Sequence, residues 1–297
     1  MDSVRVSAYA KVNLFLHVLA REVSGFHNIE TLFALLELHD DLTIEKTDGG
    51  IEIEVDGRAD TGPERQNLAY RAADKILGAT DRTFGVKINL TKEIPVQAGL
   101  GGGSSDGAAT LLAMNMLANN AISEEQLLQF AAELGSDVPF FVSRAAFAMG
   151  WGRGERLLEI PGPSGAPALV VLPGFGVSTS EAYESLSASR AGGRAYHPRV
   201  LDWESLVDWQ AIKRQSANDF EAVLLDRKPA LREVFSRLEN TGPLITRLCG
   251  SGSATIAIYN TESERDAARS ALSDVEMVIP TNIRGTAAPT PAVPQPM

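Results

Sequence analysis

The sequence predicts an α+β chain in two domains, and three observations carry that prediction. Stretches with strand periodicity are interleaved with stretches of helical periodicity, yet neighbouring strands also read as hairpins, which a doubly wound parallel sheet does not favour. The length, 297 residues, suits two ordinary domains better than one. Proline and glycine concentrate in PGPSGAP (161–167), the natural boundary. The expected organisation is a first domain over 1–160, a second over 161–286, and a proline-rich tail, 287–297, without fixed structure.

The elements follow in order. VRVSAYAKVNLFLHVL (4–19) opens with Val4, Val6 and Ala8 on one side and reads as a strand. DLTIEKTDGGIEIEVDG (41–57) reads as a hairpin, with Leu42 and Ile44 facing Ile51, Ile53 and Val55 across an Asp-Gly-Gly turn. NLAYRAADKIL (67–77) is a helix capped by Asn67, with Leu68, Ala72 and Ile76 on one face. FGVKINL (84–90) alternates as a strand, and a helix is expected from about Ser105 to Ala118. SEEQLLQFAAELG (123–135) starts on the capping pair Ser123 and Gln126 and stops at Gly135. ALVVLPGFG (168–176) reads as a buried strand running into a loop. Helices are expected around 179–187, 217–226 and 228–239, with a surface loop over 187–199. LITRLCGSGSATIAIYN (244–260) is two strands around a second glycine-serine loop, followed by a charged helix over 261–273.

Composition narrows the function. Hydrophobic residues make up 44% and charged residues 22%, which fits a packed soluble protein. The net charge of −11 argues against a nucleic-acid partner, which calls for a basic face. Cys249, the single cysteine, excludes an internal disulfide and a cysteine-rich zinc site. No signal peptide or membrane-length apolar run is seen, so a cytoplasmic location with no membrane partner is expected.

The chemistry concentrates in QAGLGGGSSDGAAT (97–110), with glycines at 99, 101, 102 and 103 running into a helix. Glycine permits left-handed backbone and close approach of N–H groups to a ligand, and a helix start attracts an anion, so a phosphate is the natural guest. A tight turn that only lets two elements pack is the plainer reading. The phosphate loop of Gly-x-x-x-x-Gly-Lys type is absent, because no lysine follows the glycines, and Ser104 stands where a dinucleotide fingerprint needs its third glycine. GSSDG (103–107) satisfies Gly-x-Ser-x-Gly, and Ser105, Asp137 and His197 stand in the chain order of a hydrolase triad. That reading lacks the strand that should directly precede the serine. Asp137, just after Gly135, reads as a turn former or as a carboxylate aimed into a cleft at a helix-to-strand junction. Lys11, on an apolar strand, reads from pattern alone as an outward solvated residue, with Asn13 on the same face.

Three stretches together, AYAKVNLFL (8–16), IPVQAGLGGGSSDGAATL (94–111) and LCGSGSATIAI (248–258), resemble the GHMP superfamily of small-molecule kinases. GFHNIETLF (25–33), QNLAYRAA (66–73), LGSDVPFF (134–141), GRGERL (152–157) and NDFE (218–221) narrow the resemblance to its branch acting on a cytidine-diphosphate sugar alcohol. The resemblance implies a two-domain GHMP kinase fold with the active site in the interdomain cleft. It implies transfer of the γ-phosphoryl of ATP to the 2-hydroxyl of 4-diphosphocytidyl-2-C-methyl-D-erythritol, a step towards isoprenoid precursors that does not use mevalonate. Another alcohol kinase of the superfamily, on mevalonate or homoserine, is the alternative; a serine hydrolase through Ser105, and a nucleotide-binding protein without catalysis, stand behind it.

By the same resemblance, Asp137 is the catalytic base and Lys11 points into the cleft beside it. Asn67, Leu68 and Lys92 border the adenine. The stretch Pro95, Val96, Gln97, Ala98, Gly99, Leu100, Gly101, Gly102, Gly103, Ser104 and Ser105 wraps the phosphates, and Ser105 supplies the hydroxyl expected nearest Mg²⁺. The substrate is expected against Asn13, Phe26, His27, Thr179 and Tyr183 and against the second loop at Gly250, Ser251 and Gly252. An aromatic ring stacks on a pyrimidine and a histidine meets its pairing edge. This chain departs from the pattern at three points: Phe26 replaces a tyrosine, Ser24 an aspartate, and Gly107 an alanine. A monomer or homodimer is expected.

Overall fold

A computed structural model describes residues 2–23, 25–57, 62–191 and 202–293. The N-terminal half is built on two long antiparallel strands, β1 (Ser3–Arg21) and β2 (His27–Thr47). β1 alternates at its start and then is buried without interruption from Ala10 to Val18, because both faces of the sheet are covered there. The chain continues through β3 (Ile51–Asp56), α1 (Leu68–Ala79), β4 (Gly85–Thr91), α2 (Gly102–Leu117), α3 (Glu124–Leu134), α4 (Val138–Ser143), β5 (Phe147–Gly152) and β6 (Arg156–Glu159). The other half carries β7 (Ala166–Leu172), α5 (Thr179–Ala191), α6 (Trp209–Gln215), α7 (Glu221–Arg227), α8 (Pro229–Glu239), β8 (Ile245–Leu248), β9 (Thr255–Ile258), α9 (Glu262–Ala271) and β10 (Met277–Ile283).

One edge of β2 pairs with β1 along nearly its whole length, and the other is shared by β5, β10 and β4. The link to β10, at Ile283 and Leu36, joins this sheet to the order β10-β7-β9-β8. Val4, Phe33, Ile44, Ile76, Ile88, Leu111 and Met114 form one core beneath α1 and α2. A second core, with Val12, Leu14, Leu36, Val170 and Ile256, runs from β1 and β2 into β7 and β9, and so forms a continuous floor between the halves.

The expected hairpin at 41–57 is not formed. β4 lies between its two arms: Ile44 of β2 pairs with Ile88 antiparallel, and Ile53 of β3 pairs with the same residue in parallel. The apolar face of β4 is fully buried, whereas β3 is half-exposed and serves as the edge. The Asp-Gly-Gly turn opens for this because β4 begins with glycine; a Cβ on Gly85 would overlap the backbone of Gly49.

Other departures are smaller. α2 starts at Gly102, three residues earlier than expected, on the left-handed N-cap Gly101 (φ 73°). α5 runs to Ala191, so the first part of the expected surface loop is helical; residues 192–201, including His197, lie outside the described residues. The tail is tied down as far as 292: Ala292 exchanges backbone hydrogen bonds with Arg5, and Ala288 N–H donates to Arg144 O at 2.9 Å. α4, α6, β5, β6 and β10 are additional elements. Asn67 does cap α1, accepting from Ala69 N–H at 2.9 Å. Asn67→Ala is expected to lower unfolding stability by about 1 kcal/mol, measured by urea titration; an unchanged midpoint and slope would contradict the cap's role.

Candidate active site

Two cavities meet at the glycine loop. The smaller, of about 530 Å³, is lined by Asn67, Leu68, Lys92 and every residue from Ile94 to Ser104. The larger, of about 840 Å³, holds Lys11, Asn13, Phe26, His27, Asp137, Thr179, Tyr183, Gly250 and Ser251 on its walls. Gly99, Gly101 and Ser104 line both. The loop between them is shaped by its glycines. Gly99 (φ 85°) lies so close to the second loop that a Cβ would overlap the Cys249 carbonyl, and a Cβ on Gly101 would press on Phe141 and Lys11. Gln97 also adopts the left-handed region (φ 56°) without being glycine.

Lys11 and Asp137, far apart in sequence, meet in the larger cavity. Lys11 Nζ is 3.3 Å from Asp137 Oδ2 and donates to Asn13 Oδ1 at 2.9 Å. Asn13 Nδ2 in turn donates to Thr31 Oγ1 at 2.8 Å, and the Thr31 hydroxyl to Phe15 O at 2.7 Å. The relay fixes the ammonium of a lysine that is only 4% exposed, so Lys11 is an inward residue of the site and not the solvated one that strand pattern alone suggests. Asp137 is the N-cap of α4, which places it at a helix-to-helix junction, and its side chain makes no capping hydrogen bond. Its carboxylate stays available to the cavity.

At the far end, the rings of His27 and Tyr183 stack at 4.6 Å, and Tyr183 meets Phe220 edge-on. Burial, with the nearby charge of Asp137, pushes the Tyr183 phenol up to about 12. Burial first, and then the charges of Arg21 and Arg190, hold His27 below the usual imidazole range, which favours the neutral ring. A neutral imidazole has one donor and one acceptor nitrogen, which suits the edge of a base.

The structure corrects two of the residue assignments. Ser105 is buried and lines neither cavity, whereas Ser104 lines both. Successive helix residues point about 100° apart, so the two hydroxyls do not face the same way. This position in α2, with no strand before it, also removes the hydrolase elbow. Gly252 lines neither cavity; a Cβ there would press on the backbone of Ala98 and Gly99, so this glycine lets the second loop pack on the first. Lys92 lies on the wall of the smaller cavity, but its ammonium is taken up internally. It donates to Asp40 Oδ2, and to Asp106 Oδ2 at 2.7 Å. Asp40 Oδ1 also accepts from the N–H groups of Glu93 and Ile94. The group thus ties β2, the end of β4 and the start of the second turn of α2 together under the glycine loop. Burial lowers the Lys92 pKa, but the two carboxylates outweigh it and raise it overall. Burial pushes Asp106 up to about 7 against the pull of Lys92.

Sequence reasoning passed over Asp106, Arg21 and Arg153, all of which line a cavity. Asp106 had a signal, being a carboxylate one turn into the helix that the glycine loop opens onto. Gly107 also gains a reason: a Cβ there would lie 3.1 Å from Leu68 Cβ, where α1 and α2 pack closely.

The GHMP kinases N terminal domain matches residues 67–145, and the GHMP kinases C terminal domain matches residues 204–275. The 4-diphosphocytidyl-2-C-methyl-D-erythritol kinase of Moorella thermoacetica is 38% identical over 287 residues, covering 95% of this chain and 98% of that protein. The chain belongs to the GHMP kinase family, in its 4-diphosphocytidyl-2-C-methyl-D-erythritol kinase branch. A kinase of the same name from Pelotomaculum thermopropionicum is 37% identical, with 92% of this chain and 95% of that protein covered. A crystal structure of 4-(cytidine 5'-diphospho)-2C-methyl-D-erythritol kinase superposes with a TM-score of 0.80 at 34% identity, over 94% of this chain and 99% of that one. A homoserine kinase from Cytophaga hutchinsonii, 19% identical with a TM-score of 0.69, shares the GHMP kinase fold. Among the described residues, no helix is long and apolar enough to cross a membrane.

Proposed function

We propose that this chain transfers the γ-phosphoryl group of ATP to the 2-hydroxyl of 4-diphosphocytidyl-2-C-methyl-D-erythritol, with Asp137 as base and Lys11 as its partner. The observation that carries this reading is the Lys11–Asp137 pair, 3.3 Å apart, on the wall of one cavity where the glycine loop opens onto the next. ATP occupies the smaller cavity, its phosphates against the N–H groups at the start of α2, where the helix dipole favours negative charge. The sugar alcohol occupies the larger cavity, its base towards Phe26, His27 and Tyr183.

The 2-hydroxyl gives its proton to the Asp137 carboxylate as its oxygen bonds to the γ-phosphorus. The bond from that phosphorus to the bridging oxygen breaks, and ADP leaves. Lys11 orients the carboxylate and offsets negative charge near the transferring group. Positioning and charge neutralisation carry most of such a transfer, so the rigid relay from Lys11 to Thr31 matters as much as the base.

Mg²⁺ would screen the triphosphate charge. Among the described residues there is no cluster of three or more metal-binding side chains, and an ion carried by phosphates needs only one or two protein ligands. Asp106 Oδ1, a buried oxygen without a hydrogen-bond partner on the wall of the smaller cavity, is the group that fits it.

Parallel assays of ADP formation with the cytidine substrate, mevalonate and homoserine test the substrate reading. Turnover is expected with the first alone. Turnover with another alcohol and none with the cytidine compound would keep the kinase chemistry and overturn the role of Phe26, His27 and Tyr183.

A further inference from the structure

Phe26 poses a physical problem. Its ring stands 53% exposed on the wall of the larger cavity, on a short turn between β1 and β2. The resemblance to the family expects a tyrosine here and an aspartate two residues earlier. This chain has neither, so the ring has no hydroxyl through which a hydrogen bond could set its direction. An exposed aromatic side chain without such a tether samples several rotamers and must be ordered when a ligand stacks on it, which weakens binding.

The tether comes from another element. Arg153, in the turn between β5 and β6, places its guanidinium carbon 3.9 Å from the centre of the Phe26 ring. Its Nη2 donates to Glu22 Oε2 at 2.8 Å, and its backbone N–H donates to Glu155 Oε2 at 2.7 Å. Glu22 belongs to the same turn as Phe26: its N–H donates to Phe26 O at 2.7 Å, and its carbonyl accepts from Gly25 N–H at 3.0 Å. Glu22, Arg153 and Phe26 therefore form a closed unit that joins two separate turns at the mouth of the cavity. A flat cation over one ring face holds the ring by electrostatic attraction and contact, and leaves the other face for a second flat partner.

We infer that Arg153 is the positioning residue for base recognition: fixed by Glu22, its guanidinium holds Phe26 so that the open face of the ring stacks on the substrate's pyrimidine. This rests on the reading of the larger cavity as the seat of the cytidine substrate.

The test is steady-state kinetics of the wild type, Arg153→Met, Arg153→Lys, Phe26→Leu and the double variant Phe26→Leu/Arg153→Met, with the sugar alcohol and ATP varied separately. Arg153→Met keeps the length of the side chain and removes its charge and plane. It is expected to raise KM for the sugar alcohol by about 5- to 30-fold, the range for a partly desolvated cation over an aromatic ring. kcat and KM for ATP should stay within about twofold, a split that a general structural defect does not produce. Arg153→Lys should fall between. In the Phe26→Leu background, Arg153→Met should add little, because the two act as one unit. A KM for the sugar alcohol within twofold of wild type in Arg153→Met would overturn the inference, as would full additivity in the double variant or an equal loss for ATP. Failure of the wild type to turn over the cytidine compound would remove the substrate reading and this inference with it; turnover with an unmoved KM would remove the inference alone.

Discussion

Asp137→Asn is expected to lower kcat by about 10²- to 10⁴-fold, the range general base catalysis supplies, with both KM values within a few-fold of wild type. Asparagine keeps the size of the side chain and can still sit beside Lys11, so binding should survive. It cannot take a proton from the sugar hydroxyl. The carboxylate is free for that work because α4 begins without using it as a cap. A variant that keeps more than a tenth of wild-type kcat would mean that the proton leaves by another route and that Asp137 only holds Lys11.

The second large effect is expected at Lys92, and it is an effect on stability. The ammonium lies between Asp40 and Asp106, both buried. Lys92→Met removes the one cation of this group and leaves two carboxylates facing each other out of water. Breaking a buried ion pair on one side costs about 3–5 kcal/mol, because the remaining charge is uncompensated. Urea titration at pH 7 should show a fall of that order, and the additional change Asp106→Asn should recover part of it. A loss below about 1 kcal/mol would mean that water reaches the group, and that the loop above it is not held from below.

Much of the architecture is readable from periodicity where an element buries one face. α1, α3 and β4 show their apolar spacing, α1 and α3 their caps, and the β8–β9 hairpin brackets its glycine loop plainly. The pairing of β3 is not readable, because alternation tells which face is buried and not which strand lies alongside. β5, α4 and β10 escape for a related reason. They are short, and their apolar residues are continuous or set by tertiary neighbours, so neither period stands out.

The site divides in the same way. The glycine loop, Asp137 and the aromatic residues are recognisable as motifs. The inward direction of Lys11 is not, because strand pattern gives a face and only the relay through Asn13 and Thr31 shows why an ammonium is tolerated there. Ser104 and Ser105 are equivalent on paper, and the first turn of α2 separates them. Arg153 lies in GRGERL (152–157), but that stretch tells nothing of its partners Glu22 and Phe26, more than a hundred positions away.

The most direct test of the central claim follows the phosphorus itself. The chain would be incubated with ATP labelled at the γ-phosphate and 4-diphosphocytidyl-2-C-methyl-D-erythritol, and the product read by phosphorus NMR and mass. ADP is expected in equal amount with a new phosphomonoester on the tertiary 2-oxygen that carries the label, and that product should be lost in Asp137→Asn. Label appearing as inorganic phosphate, or on another hydroxyl of the sugar alcohol, would contradict the placing of Lys11 and Asp137 at the point of transfer.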